Sequence, residues 1–197
     1  MHGLINRSIQ SFLRDTYGAQ LWLRVAQVAR LNPDGFEAML HYDDRVTAHL
    51  VAAASQVLSR PQDTILEDLG TYLVSHPNLQ ALRRLLRFGG VNFRDFLHSL
   101  EDLPDRGHLA LPDLDLPALT LTETGGDSFV LTCRGPLPGA GHVVVGLLRA
   151  MADDYGALVL IEHQGAEAEG GAERIAIQLT DARFSPGKRF DLAAVSG

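Results

Sequence analysis

The chain has 197 residues, enough for one domain with a real core or at most two small ones. Hydrophobic residues make up 46% and charged residues 21%, which excludes wholesale disorder. The formal net charge of −7 argues against nucleic-acid binding, which needs a concentrated positive field to displace phosphate counterions.

The single cysteine, Cys133, excludes an intramolecular disulfide and fits a reducing compartment. The N-terminal stretch carries polar residues at helical spacing and lacks the apolar centre of a signal peptide. No run approaches about 18 apolar residues, so no membrane span is expected, and the protein is read as soluble and cytoplasmic.

Helices dominate the first hundred residues. Leu4, Ile5, Ile9, Phe12 and Leu13 form the apolar stripe of an amphipathic helix ending near Gly18. A second helix runs from about Ala19 to Arg30 and stops at the turn cluster Asn32-Pro-Asp-Gly35. Val46 to Leu58 is apolar on most sides, as a buried helix is. Pro61 opens a helix over Gln62–Leu73, and His76-Pro-Asn78 breaks it. Leu79–Phe88 and Phe93–Leu103 read as two more short helices.

The character changes at Pro104, Pro112 and Pro117, which bound an irregular link. Leu119–Glu123 and Phe129–Arg134 flank Thr124-Gly-Gly-Asp-Ser128 and predict a β-hairpin. Val143–Tyr155 follows as a helix, then Ala157–Glu162 and Arg174–Leu179 as strands around a soft loop. The fold class is α+β: a helical N-terminal part, then a four-stranded antiparallel sheet with one inserted helix. The chain is taken as one domain. Its helical subdomain is 1–111, its α/β subdomain 112–182 and its tail 183–197.

Among the eight histidines, none pairs at i, i+4 spacing with an acidic residue between, as a zinc-protease helix requires. Surface or capping roles are the plainer reading of all eight. Asp43-Asp44 and Glu101-Asp102 point about 100° apart on a helix and read as solvated caps. Arg83, Arg84, Arg87 and Arg94 read either as a solvated basic face or as a partner-docking surface. Nucleophile-elbow, P-loop and dinucleotide motifs are missing, and Cys133 has no evident base, so a buried inert thiol is expected and no enzyme.

Several motifs together carry a resemblance. They are Met1-His-Gly-Leu-Ile-Asn-Arg-Ser-Ile-Gln10, Tyr17-Gly18, Trp22, Tyr42-Asp-Asp44, and Leu50-Val-Ala-Ala-Ala-Ser55 with Val57-Leu58. Phe93-Arg-Asp-Phe-Leu97, Leu100, Leu103 and Val143-Val-Val-Gly146-Leu-Leu148 continue it. The chain resembles the heme-nitric oxide/oxygen binding (H-NOX) domain, the regulatory N-terminal domain of soluble guanylate cyclase. That family binds haem through one histidine and a Tyr-x-Ser-x-Arg motif. The resemblance places the histidine at Pro104, eight residues before Pro112, and the motif at Cys133, Gly135 and Leu137, with Leu137 nine residues before Gly146. Proline supplies no iron ligand, and the three propionate donors are gone. Strand alternation is expected to turn Arg134 to the other face.

Ile5 and Val143 fall at family pocket-lining positions, and Val143 stands where the family's oxygen-stabilising tyrosine would be. The expectation is therefore a fold retained without its cofactor, its pocket filled by apolar side chains, shifted helices or a small apolar ligand. The resemblance implies a regulatory role through contact with a signalling protein such as a histidine kinase or a cyclic-di-GMP enzyme, as in bacterial stand-alone members. The alternative is a haem-based nitric oxide sensor with His108 or His98 on the iron.

Overall fold

The computed structural model describes residues 1–110, 113–167 and 171–181. The expected tail 183–197, Pro112 and part of the soft loop lie outside the described residues.

Seven α-helices come first: α1 (Gly3–Tyr17), α2 (Ala19–Ala29), α3 (Asp44–Leu58), α4 (Gln62–Ser75), α5 (Gln80–Arg87), α6 (Phe93–His98) and α7 (Leu103–Ala110). Side chains cap several of them. His2 Nδ1 accepts from the Leu4 amide at the start of α1, Asp43 from the Arg45 amide before α3, and Asn92 from the Asp95 amide before α6. Strands β1 (Ala118–Gly125) and β2 (Ser128–Arg134) form the expected hairpin, followed by α8 (Ala140–Tyr155), β3 (Leu158–Ala166) and β4 (Glu173–Asp181). The sheet is antiparallel throughout, in the order β1-β2-β4-β3. The α+β architecture is as expected.

One boundary differs. The helix expected over 93–103 ends at His98 and the next begins at Leu103; between them Ser99 Oγ donates to the Phe96 carbonyl at 2.7 Å and the chain tightens at Leu100 and Leu103. Pro104 does not end a helix. It sits in the first turn of the next one, where its missing N–H costs nothing and its fixed φ suits the helix. Residues 104–110 of the expected irregular link are therefore helical.

Two cores result. Ile9, Phe12, Leu13, Trp22, Leu50, Ile65 and Leu69 fill the space among α1 to α4. Phe96, Leu97, Phe129, Leu131, Val145, Leu148, Met151, Ile175 and Ile177 fill the space between α8 and the sheet. They meet where α4 lies on α8, and the approach is glycine-controlled from both sides. A Cβ on Gly70 of α4 would stand 2.0 Å from the Val143 carbonyl oxygen. One on Gly146 of α8 would stand 1.9 Å from the Glu67 carbonyl oxygen.

Alanine at Gly146 gains about 1 kcal/mol of helix propensity. The same methyl collides with backbone that cannot rotate away, and overpacking of this kind costs about 1–3 kcal/mol or more. Gly146→Ala is expected to lower stability by at least about 1 kcal/mol net. Urea unfolding followed by circular dichroism measures it, and an unchanged midpoint would show that α4 and α8 separate freely.

Candidate functional site

The positions singled out by the resemblance lie where α7, the end of β2 and the start of α8 approach the two cores. Pro104 is half-buried in the first turn of α7. The same helix carries Gly107, where a Cβ would stand 2.3 Å from Leu116 Cδ1, so α7 is pressed against the segment leading into β1. His108 is exposed on this helix. His98 is exposed at the end of α6 and pairs with Glu123 of β1 at 3.1 Å. Neither histidine is turned inward.

Cys133 is 1% exposed and sits in the sheet core. Burial, and then the nearby Glu173 carboxylate, push its thiol up to about 12. Arg134 is exposed on the opposite face, as alternation requires. The alternation does not reach further, because β2 ends at Arg134 and the chain leaves the sheet through Gly135 and Pro136. Gly135 is exposed, and a Cβ there would stand 2.9 Å from Pro117 Cβ. Leu137 is half-buried and packs against both cores, whereas Ile5 and Val143 pack against the helical one. The structure thus brings Ile5, Leu137 and Val143 to one core and leaves Cys133 in the other. Three surface clefts, lined in turn by residues such as Arg14 and Glu37, Val28 and His49, and Arg83 and Asp153, include none of these positions.

The four arginines do not share one open face. Arg83 makes a paired contact with Asp154, a side chain only 5% exposed, through Nε at 3.1 Å and through its terminal nitrogen. Arg87 Nε lies 3.8 Å from the same carboxylate, and its guanidinium covers the Tyr155 ring at 3.7 Å. Arg94 turns to Asp127 and the Phe129 ring. Only Arg84 of the four is exposed without an ion pair among the described residues. Two adjacent acids at the end of α8 oppose the helix dipole, and α5 answers with arginines.

A polar cluster was missed. His142 on α8, His163 on β3 and Glu173 on β4 each offer a donor atom within 4.8 Å of the others. The expected strands stopped at Glu162 and began at Arg174, which left His163 and Glu173 in loops. The signal was alternation: His163 continues the inward series of Ile161, and Glu173 precedes that of Ile175 and Ile177.

The family model described as Haem-NO-binding matches residues 2–163. Soluble guanylate cyclase 89Db of Drosophila melanogaster is 23% identical over 155 residues, or 79% of this chain and 23% of that protein. Soluble guanylate cyclase gcy-31 of Caenorhabditis elegans is 24% identical over 180 residues, or 91% of this chain and 26% of that protein. The chain thus spans about a quarter of the length of these relatives. The crystal structure of an Fe(II) unliganded H-NOX protein from K. algicida superposes with a TM-score of 0.79 at 16% identity, covering 94% of this chain and 100% of that one. An H-NOX protein from S. oneidensis in the Fe(II)NO ligation state gives 0.74 at 17% identity, over 92% and 100%.

Two outcomes follow from this geometry. A thiol held near 12 and shielded from water stays protonated, so Cys133 is expected to ignore a disulfide reagent at pH 8 in the folded protein and to react fully in guanidinium. Arg83→Ala removes charge-assisted bonds from a buried carboxylate and is expected to cost about 2 kcal/mol. Arg84→Ala should stay within about 0.5 kcal/mol. Paired thermal melts compare the two, and equal losses would return both arginines to one solvated face.

Proposed function

The chain belongs to the haem-NO-binding (H-NOX) family, and from that premise we propose that it is a regulatory domain that works without haem, through protein contact with a signalling partner. The observation that carries the reading is Pro104. It stands where the resemblance puts the iron-binding imidazole, and its ring nitrogen is an amide with no lone pair to give.

The other positions support it. Haem propionates carry negative charge that needs donors inside the fold, where an unpaired charge costs several kcal/mol. Gly135 and Leu137 have no donor, and Leu137 instead packs against both cores. The Cys133 thiol is buried and pushed up to about 12, which is unlike the thiolate that iron takes. Arg134 is exposed, and so are His98 and His108. The residues present therefore fit haem poorly.

A domain of this kind biases a partner by presenting one surface in one conformation and another in a second. The partner class is a signalling protein such as a histidine kinase or a cyclic-di-GMP enzyme. This role needs no catalytic step, nucleic acid or membrane. None of the helices among the described residues is long and apolar enough to cross a bilayer. Of the arginines first considered, Arg84 is the one left for an acidic partner.

The test is an absorption spectrum of protein purified from haem-supplemented cells, followed by titration with hemin. No Soret band at one haem per chain is expected. A sharp, stoichiometric band would overturn the reading. Pro104→His restores a ligand atom and leaves the propionates unmet, so weak, sub-stoichiometric loading is expected. Adding Cys133→Tyr, Gly135→Ser and Leu137→Arg should raise it.

A further inference from the structure

We propose that His142, His163 and Glu173 bind one divalent transition-metal ion of the zinc type, at a site built from residues that the haem reading does not use. The three come from three elements: the first turn of α8, the end of β3 and the start of β4. Their side chains are 14%, 13% and 10% exposed, so the cluster is nearly closed to water.

The donor geometry suits one ion. Two ligands each about 2.0–2.1 Å from a tetrahedral zinc stand about 3.4 Å apart. Here the donor atoms all lie within 4.8 Å of one another, and His163 Nε2 and Glu173 Oε2 are already at 2.8 Å. Side-chain rotation closes the remaining gap. The two imidazoles are stacked with centroids 3.9 Å apart and planes at 23°, so neither ring is held by a bulky neighbour between them. The Gly165 amide donates to His163 Nδ1 at 3.2 Å, which puts the proton of the neutral ring on Nε2, facing Glu173. For Nε2 to bind the ion through its lone pair, the ring proton moves to Nδ1 and the Gly165 contact is given up, so the imidazole stays neutral while Nε2 and the Glu173 carboxylate exchange their hydrogen bond for the ion.

The surroundings are those of a metal ligand set. Glu67 of α4 lies 3.2 Å from His142 Nδ1, so a proton on Nδ1 donated to Glu67 leaves Nε2 its lone pair. Arg149 in turn holds Glu67 at 2.5 Å. Asp63 Oδ1 stands 3.7 Å from His142 Nε2 at the exposed rim. Three carboxylates against one guanidinium leave two negative charges when both imidazoles are neutral, and a divalent cation cancels them. Space is reserved as well. A Cβ on Gly141 would stand 2.6 Å from Glu173 Oε2 and 2.8 Å from His163 Nε2, so a side chain at residue 141 would displace the two donor atoms. Two imidazoles with carboxylate oxygen suit zinc and its transition-metal neighbours better than calcium or magnesium.

Zinc chloride is the probe. The full chain, stripped with EDTA, is dialysed against zinc and analysed for metal, and its thermal midpoint is followed with added zinc. Cobalt replaces zinc to read coordination by its visible bands. Saturation at one zinc per chain is expected, with a rising midpoint and the bands of four-coordinate cobalt. His163→Gln and Glu173→Gln should each weaken binding at least tenfold, and Glu67→Gln by about 10–100-fold. Glu173→Gln keeps the shape and a hydrogen bond to His163, so it decides the matter should the histidine variant fail to fold. Zinc uptake equal in wild type and Glu173→Gln, or uptake that never saturates at one per chain, would overturn the assignment. The experiment contains no haem, so its outcome is independent of the Soret measurement.

Discussion

Two glycines facing each other's backbones hold α4 against α8, and the rest of the structure is arranged around that contact. Gly70 admits the Val143 carbonyl and Gly146 the Glu67 carbonyl, each at a distance no side chain would permit. Helix α8 can then serve two cores at once. Val145, Leu148 and Met151 face the sheet, while Val143 packs on the helical side. The same approach sets Glu67 against His142 and Arg149, so the polar cluster beside the first turn of α8 is a consequence of the helix crossing. At the far end, Asp154 and Tyr155 receive Arg83 and Arg87 from α5. One helix is thereby fixed along its side by backbone contact and at its two ends by charge.

Much of this was legible from residue order. The stripe of Ile9, Phe12 and Leu13, the Pro61 start of α4 and the Gly-Gly-Asp turn between β1 and β2 are local features, and local patterns decide such elements. What escaped was decided at longer range. Helix α6 ends at His98, with Ser99 Oγ on the Phe96 carbonyl, in a stretch that periodicity alone continues to Leu103. Strands β3 and β4 extend past Glu162 and start before Arg174 because each completes the other's ladder, an effect invisible in either segment alone. The basic face dissolved for the same reason, since Arg83 and Arg94 find carboxylates 71 and 33 residues away in the chain.

The site was legible in a different way. The resemblance located Pro104, Cys133 and Leu137 by spacing, and their chemistry needed no coordinates. The structure added how they are held: Cys133 deep in the sheet core, Leu137 just past the strand and bridging both cores. Of the histidines, His142 and His163 depart from the surface or capping reading, for a physical reason. Helical i, i+4 spacing is one way to converge ligands, whereas here a helix turn meets two strands, and residues 142, 163 and 173 converge only through the antiparallel register.

A fold can lose a ligand more easily than it can lose the contacts around it. Pro104 and Leu137 stand where the resemblance puts haem-anchoring side chains, and with those residues in place the α4–α8 crossing is intact. Leu137 contributes in its own right, because an apolar side chain removed from water is worth about 1.5–3 kcal/mol where a buried, unpaired guanidinium would cost several. The polar cluster at His142, His163 and Glu173 has no such freedom. Glu173 is buried, and removing His163 leaves its carboxylate in the core without its hydrogen-bond partner. The polar cluster is therefore bound to the packing of α8, which is also the element that packs into both cores.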